Sequence, residues 1–401
     1  MIHKIVIENF FSIADKQELV FAVPQSSPDL PCFKSSRSDE RIRLPAVIGF
    51  FGPNASGKST VLRAVVSSVF FALYSFDWPK NRIDYFFQSY RQKDWWGKST
   101  KITIEFDGQL NKESPSVMFR YELHVAHKPG DFSDKVISYE SLFYAPKGKF
   151  RCLFERENQE FRFGREFDIS DAVNDPRVKS IRSNASVLST LTRLNHPLSI
   201  HLCQQIGALR TNIIGVDTIQ QNTEQMWSFY ANNRSCFDRL KLELRRFDIG
   251  FDSMSIESGD QGRLFAKFEH VGLDKFIYFE EESSGTQRFI QIFQLLHSVL
   301  EAGGVATIDE LDTDFHPLLL PELFRWFSDP ERNPQNAQLI FTAHNATLLD
   351  DLEKEQVFFT EKPSGQASHV YCAQNIKGLR REPSLMKKYL AGELGAVPRV
   401  G

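Results

Sequence analysis

The sequence predicts an α/β fold: a parallel strand–loop–helix core joined to an antiparallel β lobe and a short helical insertion, with no long coiled coil. Three observations predict it. An apolar run of Ala46, Val47, Ile48, Phe50 and Phe51 leads straight into GPNASGKST at residues 52–60 and then into a helical stretch from Ser59 to Leu73. Residues 101–164 alternate apolar and polar positions in short runs, as half-buried antiparallel strands do. From about 168 to 246 the pattern turns helical without a sustained heptad.

Taken in order, residues 3–8 and 18–23 read as two strands joined by a turn, and Pro24 to Pro45 as a polar loop rich in Ser, Pro and charge. The loop that follows the first buried strand matches GxxxxGK[ST] through Gly52, Gly57, Lys58 and Ser59. Its glycines let backbone N–H groups wrap a β-phosphate, Lys58 neutralises β/γ charge, and the Ser59 hydroxyl suits Mg²⁺. Asn54, Ala55, Ser56 and Thr60 complete the cradle, which opens onto a helix N-terminus where anions are favoured. Beyond the β lobe, Cys236 to Phe247 forms a helix with Leu240, Leu242 and Leu244 and a basic set of Arg239, Lys241, Arg245 and Arg246. Short strands return at 252–257 and 263–269. The chain divides into an N-terminal half at 1–165, a helical insertion at 166–247 and a C-terminal half at 248–401.

Three further motifs lie in the C-terminal half. In GGVATIDELD at 303–312, Val305 to Ile308 reads as a central strand that sets Asp309 and Glu310 at its carboxyl end, where α/β sheets collect ligands. Asp309 suits Mg²⁺ held through water, and Glu310 a general base toward an attacking water. Residues 280–291 read EEESSGTQRFIQ, and Ser284, Gly285, Thr286 and Gln287 occupy the places of a signature sequence. The helix after them carries Phe289, Ile292, Phe293, Leu296 and Leu300 on one face and stops at Gly303 and Gly304. QLIFTAHN at 338–345 is an apolar strand that delivers His344 into a turn, as a sensor of the terminal phosphate.

Composition bounds the partners. A net charge of −3 gives no general field for polyanions, so contact with nucleic acid would need local patches. Five scattered cysteines without a CxxC point to free thiols in a reducing compartment. The longest uncharged apolar helix runs from Ala64 to Phe76, well short of the roughly 20 residues a bilayer requires. A cytoplasmic protein without a membrane partner is expected. The use of 36 phenylalanines predicts aromatic-rich cores.

In these motifs the chain resembles the ABC-type ATPases of the RecF, SMC and OLD branch, with their RecA-like parallel core. More narrowly, it resembles the stand-alone ATP-binding proteins of bacterial abortive infection and anti-phage defence. The resemblance rests on IENFFSI near the start, the phosphate loop, ESSGTQR, IDELDTDFHP, FTAHN and a tail KKYLAGELGAVP with Tyr389, Gly392, Gly395 and Pro398. It implies ATP and Mg²⁺ as cofactors, with Ser284 to Gln287 contacting the γ-phosphate held by a second subunit and Asp312 crossing that interface. Asp314 departs from the family's usual small polar residue. No glutamine loop is obvious, and Gln88 in YFFQSYRQ is the candidate metal ligand.

The resemblance implies an ATP-hydrolysing switch subunit, a homodimer or higher homo-oligomer with ATP at the interface. Its partner would be a separately encoded effector such as a Toprim-type nuclease. The alternative is a RecF-like repair ATPase that clamps DNA. A transporter's nucleotide-binding subunit fits least, because the N-terminal strand, the β lobe and the TAHN form favour the RecF-like branch. The stretch from Gly52 to Gly285 has no room for an SMC-type coiled-coil tether, and the residues after His344 are too few for a fused Toprim domain.

Overall fold

A computed structural model describes residues 1–213, 219–247, 250–259, 262–363, 366–380 and 384–397, so Pro398 of the tail lies outside it. At the centre is a six-stranded sheet with the spatial order Leu209–Thr211, Val305–Ile308, Gln338–Thr342, Val47–Phe51, Val357–Glu361 and His369–Cys372. Every pairing in it is parallel except the last.

Both faces of this sheet are covered, which is why its strands read as near-continuous apolar runs. Because strand side chains alternate, each strand feeds two cores. Ile48, Phe50, Ile340 and Phe358 face one core, shared with the helix Lys58–Tyr74 and the antiparallel lobe. Val47, Phe51, Leu339, Phe341 and Phe359 face the other, shared with the helices Ser284–Ala302 and Leu319–Ser328. Phenylalanines supply much of both, with ring centroids 5.2 Å apart for Phe50–Phe358 and 5.1 Å for Phe324–Phe341.

The antiparallel lobe is a seven-stranded sheet running from Glu160–Phe163 at one edge, through Arg151–Glu157, Asp131–Ala145, Val117–Lys128, Thr100–Gly108 and Ile2–Glu8, to Gln17–Val20 at the other. Gln338 fastens it to the parallel sheet: its Oε1 accepts from Ile2 N at 2.8 Å, and its Nε2 donates to Pro45 O at 3.0 Å.

Two stretches differ from their sequence reading. The polar loop from Pro24 to Pro45 contains a two-stranded sheet, Phe33–Ser35 with Arg43–Pro45, braced by Arg43 donating to the carbonyls of Pro24, Ser27 and Pro28. The helical stretch begins as short helices at Pro176–Lys179, Val187–Arg193 and Pro197–Ile206, then yields the strand Leu209–Thr211, which joins the edge of the parallel sheet. Helices Ile219–Asn232 and Arg234–Phe247 follow it. The earlier helices pack in the core of the antiparallel lobe, the later ones in the core of the signature helix.

With these sheets, its helix pair beneath the signature and no long coiled coil among the described residues, the architecture is the ABC-ATPase fold. No helix of the described residues is long and apolar enough to cross a membrane.

Candidate functional site

The carboxyl ends of three neighbouring parallel strands, Val47–Phe51, Gln338–Thr342 and Val305–Ile308, converge on one crest. They carry the phosphate loop, the turn at His344, and Asp309 with Glu310. Ligands collect on this edge of such sheets because the loops there are free to vary while the strands hold their roots.

The loop is shaped by residues at positive φ. Gly52 has φ +149°, and a Cβ on it would lie 2.1 Å from Thr360 O, so no other residue fits. Ala55 also adopts positive φ, at 60°, and both Asn54 and Ala55 are exposed at the tip. Ser56 turns inward, its Oγ 2.7 Å from Thr360 Oγ1, and Thr60 is tied 2.9 Å from Ser12 Oγ. Gly57 caps the helix Lys58–Tyr74 without a side-chain hydrogen bond, and the first turn holds no acid. The helix thus has no acid of its own in its first turn against the positive end of its dipole.

Lys58 Nζ donates to the carbonyls of Gly52 at 2.9 Å and Pro53 at 3.0 Å, acceptors that stand where phosphate oxygens would be taken. Burial pushes its pKa down from the ordinary lysine value, while the nearby Asp309, Asp312 and Glu310 pull it up. An anionic ligand would act in the same sense as those carboxylates.

A chain of hydrogen bonds links the motifs across the sheet. Ser59 Oγ donates to Asp309 Oδ1 at 2.9 Å, Thr342 Oγ1 donates to the same oxygen at 2.6 Å, and Glu310 N donates to Thr342 Oγ1 at 2.7 Å. Glu310 sits at φ +50°, a strained conformation for a side chain of this size and one that recurs at functional sites. Its carboxylate is 56% exposed and lies 3.8 Å from His344 Nε2. On its other side His344 Nδ1 is 3.3 Å from Lys58 Nζ; with the ammonium donating, the imidazole carries its proton on Nε2, facing Glu310.

Asp312 uses one of its two carboxylate oxygens within its own chain. Its Oδ2 accepts from the backbone N–H groups of His344 at 2.8 Å and Asn345 at 2.7 Å, fixing the turn that presents the histidine. In the signature, Ser283 is the helix cap, accepting from Thr286 N at 3.1 Å, and Thr286 Oγ1 lies 2.8 Å from Ser283 Oγ. Ser284 is left exposed at the first turn, and Gln287 Nε2 donates to Glu282 O at 3.0 Å. Gly285 packs so closely that a Cβ would sit 2.9 Å from Asp314 O. Gln88 has its hydrogen bonds elsewhere. Its carbonyl accepts from Phe11 N at 2.8 Å and its Oε1 from Arg91 at 2.8 Å, and no hydrogen bond among the described residues joins it to Ser59 or Asp309.

Two contributors had no role assigned to them from the sequence. Asn212 clasps the Asp309 peptide from both sides, its Oδ1 accepting from Asp309 N at 2.7 Å and its Nδ2 donating to Asp309 O at 2.8 Å. Arg288 reaches from the signature helix to the carbonyls of Asp309 at 3.4 Å and Glu310 at 3.5 Å. Thr342 lies inside the TAHN motif, and its place at a strand end beside the acids was the available clue.

The oxygen donors of Ser59 and Asp309 fit a hard divalent cation such as Mg²⁺, which takes one or two protein oxygens and fills its shell with phosphate and water. No cluster of three His, Cys, Asp or Glu that could hold a metal occurs among the described residues, so these two donors would share the ion with a nucleotide.

Among solved structures, the SMC head domain from Thermotoga maritima is similar at 14% identity, covering 92% of this chain and 98% of that chain with a TM-score of 0.42. An Smc head domain with an extended coiled coil, bound to the C-terminal domain of ScpA and derived from Pyrococcus furiosus, is similar at 12% identity, covering 98% of each chain with a TM-score of 0.44. No curated protein matches the chain. A family match spans residues 47–350, which hold every motif from the phosphate loop to His344. The protein accordingly belongs to the family described as "AAA domain, putative AbiEii toxin, Type IV TA system".

Proposed function

We propose that the chain binds ATP with Mg²⁺ on the loop Gly52–Thr60 and hydrolyses it to ADP and phosphate, as the switch subunit of a bacterial anti-phage system that controls a separately encoded effector. The observation that carries this reading is the continuous chain Ser59–Asp309–Thr342–Glu310, which joins the phosphate loop to a carboxylate held free at the sheet edge. Mg²⁺, held by Ser59 and Asp309, supplies charge neutralisation at the β- and γ-phosphates when bound. The residues do the rest. Lys58 exchanges the Gly52 and Pro53 carbonyls for phosphate oxygens. Glu310 takes a proton from water as its oxygen attacks the γ-phosphorus and the bond to the ADP oxygen breaks. His344 keeps its proton and directs its Nε2–H as a hydrogen-bond donor to the terminal phosphate. Gln88 Oε1, which already accepts from Arg91, has a second lone pair with which it would join the metal shell.

The exposed Ser284 sits on a helix whose first turn also lacks an acid, a second positive terminus suited to the γ-phosphate bound by another copy. Two or more copies would thus sandwich ATP in the cytoplasm. The family's description as a toxin of a two-part system accords with a separately encoded partner, for which a Toprim-type nuclease is the candidate effector.

Glu310→Gln tests the chemistry. Fluorescent-nucleotide binding should persist while phosphate release falls by about 10² to 10⁴, the usual cost of losing a general base. Turnover equal to the parent would end the assignment. Lys58→Ala should instead weaken nucleotide binding itself.

A further inference from the structure

A cavity of about 640 Å³ opens where the antiparallel lobe, the helix Lys58–Tyr74, the helix Pro197–Ile206 and the edge of the parallel sheet meet. Its volume falls in the range of small-molecule sites, about 300 to 1,000 Å³. No residue of the phosphate loop, the signature, Asp309–Asp312 or His344 lines it. Yet one wall, formed by Val65 and Val69, belongs to the same helix that begins with Lys58 and Ser59, and another ends on Gly303, where the signature helix stops.

The lining is apolar at Val65, Val69, Ile104 and Leu209 and elsewhere offers hydrogen-bonding groups. Its charges do not balance. Asp107, the carboxylate of the lining, is already engaged by His3 Nε2 at 2.7 Å, Ser36 Oγ at 2.8 Å and Ser38 Oγ at 2.6 Å. Arg37 also lines the cavity and directs its guanidinium to the carbonyls of Gly303 and Gln335. Lys112 is exposed at the lining, and His201 Nε2 is buried without a hydrogen-bond partner among the described residues. A buried polar atom left unpaired costs stability, and a ligand atom that pairs it recovers that cost.

We propose that this cavity binds a small amphipathic anion, a molecule with an apolar body and a single carboxylate- or sulfonate-type end. The body lies against Val65, Val69 and Ile104, and the polar end meets the Lys112 ammonium and the His201 imidazole. A neutral molecule of the same shape would fill the apolar part and leave the cationic side unanswered.

The test uses the whole chain and the fluorescent anion 8-anilinonaphthalene-1-sulfonate. A saturable fluorescence rise is expected, displaced by decanoate about tenfold more effectively than by decanol, a difference equivalent to one charged contact. Lys112→Glu should weaken both anions by about tenfold. Val69→Trp, which fills the cavity with an indole, should remove the signal. Because Val69 packs beside a core, Lys112→Glu on an exposed side chain carries the test alone should the tryptophan variant fail to fold. Equal displacement by decanol and decanoate, or a signal unchanged by Lys112→Glu, would overturn the proposal.

Discussion

Asn212 shows how a residue without a motif can govern a site. Its two hydrogen bonds fix the Asp309 peptide, and Asp309 in turn receives Ser59 and Thr342. In the proposed reaction, Asn212→Ala frees the Asp309 backbone and leaves its N–H and carbonyl to find other partners, at about 1 to 3 kcal/mol. Turnover is expected to fall roughly tenfold and the Mg²⁺ concentration for half-maximal rate to rise, with nucleotide binding retained. An unchanged Mg²⁺ requirement in steady-state assays would show that the clasp does not position Asp309. The residues proposed to face phosphate were legible in the sequence, because that chemistry demands Lys58, Ser59, Asp309 and Glu310 at fixed offsets from glycines and strand ends. Asn212 was not, since its contact crosses from one strand end to the next and depends on pairing between Leu209–Thr211 and Val305–Thr307. His344 could be placed at the site, but the Asp312 contacts that aim it could not.

At the scale of elements, the signature helix is closed at both ends. Ser283 caps its N-terminus, while Gly303, at φ +72°, closes its C-terminus in the left-handed conformation common after helices. Ser284 is free of the capping role and exposed. Ser284→Arg should therefore leave folding and ATP binding to the single chain intact. It should block any composite site by placing bulk in the pocket of a second copy's γ-phosphate. In static light scattering, Glu310→Gln with ATP should show association that the double variant with Ser284→Arg loses; identical masses for the two would count against the sandwich. Long elements such as Lys58–Tyr74 and Ser284–Ala302 were legible because several turns of 3.6-residue periodicity repeat the same signal. Strands of three residues, Phe33–Ser35, Arg43–Pro45 and Leu209–Thr211, offer too few positions for period two to emerge, and Arg210 and Arg43 disguise them as loop or helix.

At the scale of the whole molecule, the question is whether its cations are free to meet a polyanion. The basic helix face at Arg239 to Arg246 has the composition of a polyanion-binding stripe, but its members are engaged. Arg239 and Arg246 pair with the buried Glu243 at 3.1 and 2.7 Å, Arg246 also with Glu322 at 3.0 Å, and Lys241 with Asp238 at 2.8 Å. Arg332 reaches Glu243 from the far side at 3.3 Å, and Arg245 donates to Asp252 O at 2.9 Å. Recruiting these cations to DNA phosphates would mean breaking ion pairs around a carboxylate that is only 2% exposed, leaving Glu243 buried and uncompensated. A DNA clamp must release counterions through many free cations, and its affinity should fall steeply as salt rises. With a net charge of −3 and this helix already paired, the chain with ATP is expected to bind duplex DNA no tighter than about micromolar at physiological salt. It should instead co-purify from its native cells with the product of a neighbouring gene. Fluorescence anisotropy against a labelled duplex across a salt series decides between the readings: nanomolar binding with a steep salt slope by this chain alone would favour the repair clamp. Weak, shallow binding beside a stable protein partner is the outcome that this ion-paired helix and the proposed ATP-operated switch together require.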